Sequence, residues 1–591
     1  RPPISIPLSS LKAFSNLPTH LRTLTMEIAS SLTTELVDVL RIDLVERISL
    51  DSGQPRPEVE NGHADIDQTL RDRLKPLLQG LSRTKGMRDA TGSWREVVLG
   101  EVRGTIKRHI PLFEIDDEDP RGANKSGGPG EYLRGMAHTE FMDLICAVYK
   151  SLLGCVQGLQ TQNTIIVEVV ESIQSPKSSI DIPALQEDLS DVLASAAELS
   201  NTRAAKVVGY RSEQHASLDL GSFLVFFNES WRFVVGCEVI CRRMIVGLRG
   251  AVVSQAKVFL QTFHQARISQ SAKLVEDELW NPAEVTLALQ RIADVLVDSA
   301  VRDSSDLILS SGSPSSPTPT PAPVPAPPPT NGMLSPPPSS SGNRTKTNGS
   351  SASKHIRIED RTYFTVSATA DVLGLLMDYL KVIVNLSMLT TDTMSRVIEF
   401  LKAFNSRTCQ VVLGAGAMRS AGLKNITAKH LALASQSLSI MIALIPYVRE
   451  TFRRHLSQKQ AVMLVEFDKL KRDYQEHQNE IHAKLIAIMG DRLSAHIKSL
   501  QVRCTLFCVL GSCAVDWNAP KPASGVNDYM ELLVKETVTL HKVLSRYLPV
   551  PVVEVFAAMN HRLSEEYAAI GLPNQEAKNT YVKYQADRLI F

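Results

Sequence analysis

The stretch LGSFLVFFNESWRFVVGCEVICRRMIVGLRGAVVSQAKVFLQTF, Leu220 to Phe263, decides the fold class. Leu220, Leu224, Phe227, Trp231, Val234, Cys237, Cys241, Ile245, Leu248, Val252, Ala256, Phe259 and Phe263 recur at steps of three and four. That spacing lays apolar side chains along one face of an α-helix. It predicts one continuous helix of roughly 65 Å at 1.5 Å per residue, interrupted only if Gly236, Gly247 or Gly250 breaks it. A helix of that length implies a rod.

The same rhythm extends in both directions. Leu185, Leu189, Val192, Ala196 and Leu199 follow Pro183, a residue suited to a helix's first turn. Further on, Leu373, Leu376, Leu380 and Val384 form one stripe, and Val397, Leu401 and Phe404 another, behind the capping candidates Thr391 and Asp392. A last stripe joins Leu464, Phe467, Leu470, Tyr474, His477, Ile481, Leu485 and Ile488, with Lys, Arg, Asp, Glu and Gln on the other faces. Strand signals are weak throughout. The expected class is all-α, an elongated rod of successive helical bundles with coiled-coil character.

Composition divides the rod. Twelve of the chain's 31 prolines fall in Ser311–Ser353. With almost no apolar side chains to offset its ordering entropy, this segment is expected to be a disordered linker whose cleavage releases two stable halves. Its PxxP spacing also fits an SH3 ligand, so a cytosolic scaffold presenting that ligand is the alternative function. Smaller breaks are expected at Asp51–Asp65 and Asp116–Gly130. The resulting domains are a helical segment with loops at 1–135, a rod bundle at 136–310, the linker at 311–353 and a helical domain at 354–591.

Charge and composition narrow the function classes. The chain has 64 basic and 63 acidic side chains among 591 residues, a net charge of +1. It therefore lacks the concentrated cations that bind a nucleic-acid backbone. Eight irregularly spaced cysteines are too sparse for a disulfide framework. A start at Arg1-Pro2-Pro3, without Met or leader, is what a piece of a longer protein gives. Leu431–Val448 holds no charge, but Ser435, Gln436, Ser437, Ser439 and Pro446 make it a core helix rather than a membrane span. Phe223–Leu248 is interrupted by five charged residues, so no transmembrane segment is expected.

No constellation points to catalysis. Cys504, Cys508 and Cys513, near His496, lie in an apolar helical stretch without paired CxxC knuckles, so they are expected to be metal-free. Cys237 and Cys241 fall on the apolar stripe, as core thiols do. His477 and His482 are five apart, not the four of HExxH, and His477 reads as a hydrogen-bonded core histidine. The glycines of VVLGAGAMRSAG, Val411–Gly422, lack the GK[ST] ending of a phosphate loop and mark a turn between helices. Neither a cofactor nor enzymatic activity is expected.

FNSRTCQVVLGAGA (Phe404–Ala417), GLKNITAKHLALAS (Gly422–Ser435), IPYVR (Ile445–Arg449) and AKLIAIM (Ala483–Met489) resemble the C-terminal domain of the vacuolar protein sorting-associated protein fifty-four family. Those proteins are subunits of the Golgi-associated retrograde protein (GARP) tethering complex. LRGAVVSQAKVFLQTFH (Leu248–His264), with Glu278, Trp280 and Val285, resembles the segment before that domain. The resemblance implies a non-enzymatic subunit of a multisubunit tether. It captures endosome-derived carriers at the trans-Golgi network and promotes SNARE-mediated fusion. Implied partners are the other GARP subunits, SNAREs met mainly through a region upstream of this chain, small GTPases, and the endosomal membrane through the C-terminal domain. The implied location is cytosolic and peripheral on trans-Golgi and endosomal membranes. No catalytic residues carry over. Asn405 belongs to the matching motif, Gly414, Gly416 and Gly422 form its inter-helix turn, and Pro446 marks a kink or helix boundary.

Overall fold

A computed structural model describes residues 16–52, 62–110, 129–173, 181–309, 353–414, 426–507, 528–548 and 552–568. Among the described residues the chain is all-α apart from one small hairpin. Its helices are α1 (Leu17–Ser52), α2 (Gly62–Thr84), α3 (Met87–His109), α4 (Pro129–Gly135), α5 (His138–Ile173), α6 (Ile182–Gly209), α7 (Ser212–Ala216), α8 (Leu220–Cys241) and α9 (Val246–Glu276). They continue with α10 (Leu287–Asp298), α11 (Ser367–Asn385), α12 (Thr390–Val412), α13 (Ala428–His455), α14 (Val465–Phe507), α15 (Asp528–Tyr547) and α16 (Val552–Ala568). Between α10 and α11, β1 (Ile356–Ile358) pairs antiparallel with β2 (Arg361–Tyr363), in the register Ile356 to Tyr363. Glu359 takes the left-handed backbone, φ 51°, in the two-residue turn between them.

The chain forms two compact units, Arg1–Thr262 and Phe263–Phe591. In the first, α5 lies against α1, α2, α3, α6 and α8. Trp94, Phe141, Leu152, Leu159, Phe223 and Phe259 are fully buried there, and the Phe223 and Phe259 rings stack at 4.1 Å. Asp181 and Asp219 begin α6 and α8 by accepting the Ala184 and Ser222 N–H groups. The helix expected behind Pro183 is α6. Cys155, Cys237 and Cys241 are buried, and burial pushes their thiols up to about 12, 12 and 11, so they act as small hydrophobes.

The single helix expected over Leu220–Phe263 is two helices. The break falls at Arg242, which adopts the left-handed conformation at φ 53°, and not at a glycine. The Glu238 carboxylate holds the corner by accepting the Ile245 N–H at 3.0 Å and pairing with Arg249, whose guanidinium sits 4.5 Å over the Trp231 ring. Gly236, Gly247 and Gly250 all stay helical. Gly236 serves close packing, since a Cβ there would lie 3.1 Å from Leu153.

The second unit contains both flanks of the proline-rich stretch. The Val285 N–H donates to the Ser353 carbonyl at 2.8 Å, and Asn385 bonds the Leu307 carbonyl and the Leu309 N–H. The Gln290 side-chain amide both donates to and accepts from the Arg357 backbone, covering the β1 edge as a neighbouring strand would. The compact units therefore divide inside α9 and not at the linker expected over Ser311–Ser353, of which residues 311–352 lie outside the described residues. Residues 263–309 pack with 353 onward, so cleavage there is expected to leave the two flanks joined rather than to release two halves. Limited proteolysis within 311–352 should give two fragments on a denaturing gel and one particle on native size-exclusion chromatography. Two separate native peaks would contradict the packing.

Among the described residues two helices, α5 and α13, are each long and apolar enough to cross a membrane. In the fold, half of the apolar window of α5 and 67% of that of α13 are buried. Leu431, Leu438, Leu444 and Val448 of α13 are among the buried side chains, so Leu431–Val448 is a core helix as its polar interruptions predict.

Candidate functional site

The helices α12, α13 and α14 meet along a seam whose apolar part is the stripe expected over Leu464–Ile488. Leu464, Phe467, Leu470, Tyr474, Ile481 and Leu485 are buried, and Phe467 packs on Phe452 of α13 with ring centroids at 5.6 Å. Leu464 closes a short 3-10 turn before α14, and the stripe's inner edge ends on Met489, with Ile488 half-buried. Lys469 and Arg472 are exposed, while Lys471 is half-buried.

Polar groups set the register of this seam. Tyr474 Oη donates to the Leu401 carbonyl at 2.7 Å, and His477 Nδ1 lies 2.7 Å from Asn405 Oδ1. On the α13 side, Gln478 donates to the Ser435 carbonyl at 3.0 Å and to Ser439 Oγ at 2.6 Å, and His482 Nε2 is 2.9 Å from Ser435 Oγ. Such pairs satisfy polar atoms in one register only, since a slip of one residue would leave them buried without partners. The motif residue Asn405 and the core histidine His477 are thus each other's partner. Ser435 and Ser439, which argue from sequence against a membrane span, have this bonding as their role.

Burial drives the His477 imidazole down to about 4. The unfolded chain takes up a proton near pH 6.5, the folded chain only near 4, so stability falls as pH drops through that window. Relative to pH 7, melting at pH 5 should be lowered in the parent and less so in His477→Gln, which keeps a hydrogen-bonding amide. Equal acid sensitivity of the two proteins would refute this assignment.

The remaining motif residues fall around the seam. Gly414 follows the end of α12, where a Cβ would lie 2.5 Å from the Gln410 carbonyl oxygen, closer than side chains approach backbone. Gly416 and Gly422 lie outside the described residues. Pro446 lies within α13, so it is not a helix boundary. Thr391 and Asp392 do not cap α12; the helix starts at Thr390, and Thr391 Oγ1 accepts a bond from Gln460. Cys508 and Cys513 lie outside the described residues, and among those described no group of His, Cys, Asp or Glu is gathered to hold a metal.

The segment before the hairpin completes the site. Glu278, buried, accepts the Trp280 N–H at 2.9 Å and the Ala368 N–H at 2.7 Å, capping α11 from ninety residues upstream. Trp280 is buried in the left-handed backbone region, φ 52°. His264, also buried, places Nδ1 2.7 Å from Tyr379 Oη and Nε2 3.1 Å from Glu399, while Arg267 pairs with Asp378 at 2.9 Å. Ser299 and Thr451 hydroxyls meet at 2.6 Å, and Arg454 donates to the Ser299 carbonyl. Sequence reasoning found Glu278 and Trp280 only as part of a resemblance; the signal for a cap is a carboxylate far outside the helix it serves, which local rules do not reach.

These features define an all-α protein with a C-terminal helical domain held by a polar seam. The chain carries a Vps54-like domain: residues 360–492 match the family model described as Vps54-like protein. Its relatives include vacuolar protein sorting-associated protein 54, chloroplastic, of Arabidopsis thaliana, 26% identical over 92% of this chain and 62% of that protein. The mouse and human proteins named vacuolar protein sorting-associated protein 54 are each 29% identical over 57% of this chain and 31% of their own length. The chain thus spans about three fifths of the plant relative and a third of the mammalian ones. No solved structure matches it.

Proposed function

We propose that this chain is a non-enzymatic subunit of a multisubunit vesicle tether acting in retrograde transport from endosomes to the trans-Golgi network. In this reading it works with the other GARP subunits, with SNAREs and with small GTPases to promote SNARE-mediated fusion, and it is cytosolic, peripheral on endosomal and trans-Golgi membranes. The observation that carries the reading is the Vps54-like domain at 360–492, together with relatives whose names all refer to vacuolar protein sorting. The seam supports a docking role, because its polar groups are bonded to one another inside the fold and leave exposed helix faces as the surfaces for partners. Capture then comes from several weak contacts on one assembly, where linked binding raises avidity without new chemistry. The test is expression of the tagged full chain in cells. It should co-purify with the other subunits of a tether and coincide with endosomal and trans-Golgi markers; a monomer spread through the cytosol would sink the assignment.

A further inference from the structure

The first three turns of α1 stand clear of the first unit. Every residue from Leu17 to Ile28 is exposed, including Leu17 at 40%, Leu21 at 54%, Leu24 at 53% and Ile28 at 51%. Steps of four, three and four put these four on one face, with the spacing of a coiled-coil seam. Elsewhere the arm is a poor helix former. Thr23 and Thr25 turn their hydroxyls back onto the Thr19 and Leu21 carbonyls at 3.1 and 2.6 Å, a bond that competes with helix. A short projecting helix of this composition is marginal in water on propensity alone, and packing its apolar face against a partner stabilises it.

The turn between α2 and α3 lies beside the base of the arm. A Cβ on its Gly86 would stand 3.1 Å from the Ala29 Cβ, and Ala29 is one residue on from Ile28, about 100° round the helix. The turn carries Arg83, Lys85 and Arg88, all exposed and none in an ion pair among the described residues. Lys85 is held in the left-handed region at φ 57°. Asp89 offsets one of the three charges, and Arg22 and Glu27 of the arm cancel. The result is a leucine seam with a cationic flank at its base.

We propose that the α1 arm and the α2–α3 turn form a docking surface for an amphipathic helix of a partner protein. The partner's apolar seam lies on Leu17, Leu21, Leu24 and Ile28, and its acidic flank faces Arg83, Lys85 and Arg88. A partner with an acidic flank fits better than a second copy of this chain, whose arm carries no net acidic charge to face the basic turn and which, packed in parallel, would bring two cationic turns together. The surface belongs to the first unit and stands independently of the docking role proposed for the second.

The test uses the full chain and two labelled synthetic peptides of three heptads, each with Leu at the seam positions, one with Glu and one with Lys at the flanks. By fluorescence anisotropy the Glu peptide should bind at least about tenfold more tightly than the Lys peptide. Leu21→Asp with Leu24→Asp should weaken it by at least about tenfold, and Arg83→Glu, Lys85→Glu and Arg88→Glu together should reverse the preference toward the Lys peptide. All the changed positions are exposed, so each variant should melt like the parent by circular dichroism. Absent binding of the Glu peptide, equal binding of both peptides, or unchanged binding by the seam variant overturns the proposal. So does a dimer of the parent that Leu21→Asp dissociates in sedimentation, which assigns the arm to a second copy. Flotation with phosphatidylcholine–phosphatidylserine vesicles that requires the seam assigns it to a lipid surface instead, and also overturns the proposal. Co-purification with a tether and localisation in cells are read separately, so this surface and the proposed function fail independently.

Discussion

Ile481→Asp is expected to remove cooperative unfolding of the second unit. Ile481 is fully buried on the α14 stripe, between Tyr474 and Leu485 on the same face. A carboxylate there must either stay charged in an apolar interface or take up a proton, at a cost of several kcal/mol. Set against a domain stability of about 5 to 15 kcal/mol, that change consumes most of the margin. Amide hydrogen exchange on the full chain should show α11 to α14 losing protection together, since the polar seam ties α12, α13 and α14 into one cooperative piece. The exposed change Lys469→Gln should leave both melting and exchange as in the parent. If Ile481→Asp melts like the parent, α14 is not packed on this face. In cells, the recruitment proposed for this domain should disappear with the fold in Ile481→Asp and persist in Lys469→Gln.

That stripe was legible in the sequence because burial and helical period act on neighbouring residues, and three-four spacing records both at once. The His477 reading follows from the same logic, since a histidine on a buried stripe needs a partner, and Asn405 supplies it. The break at Arg242 was not legible. Glycine weakens a helix by its backbone freedom, which points to Gly236, Gly247 and Gly250. Here the break is held instead by a carboxylate at 238 acting on 245 and 249 across a turn. Its left-handed residue is an arginine, which no propensity rule selects. The division into units was hidden for a related reason. Proline content locates a stretch that cannot build a core, but it does not say whether its two flanks pack together, and Val285 with Ser353, and Leu309 with Asn385, show that these do.

Glu278→Ala is expected to cost roughly 2 to 6 kcal/mol and to loosen the segment 277–309 from α11, because it leaves the Trp280 and Ala368 N–H groups without their acceptor, each about 1 to 3 kcal/mol. One of these groups opens a helix whose N-terminus favours negative charge, so the carboxylate contributes more than a neutral acceptor would. The other belongs to a residue in a strained backbone region, costing of order 1 to 3 kcal/mol, which persists only while its surroundings hold it. Glu278→Gln keeps an acceptor of the same length and loses the charge, so its melting point should fall between those of Glu278→Ala and the parent. The two variants separate cap from bulk: equal damage by both makes the charge the whole contribution, and no damage by either means that the segment before the hairpin is held by its other contacts, such as Val285–Ser353 and Ser299–Thr451. A consequence reaches the proposed docking role. A fragment beginning at 360, where the Vps54-like match begins, lacks Glu278, α10 and β1. It should therefore melt lower than one beginning at 263. The cap of α11 comes from outside the matched region, so the second unit folds as residues 263 onward, and measurements on the shorter piece would report an uncapped helix.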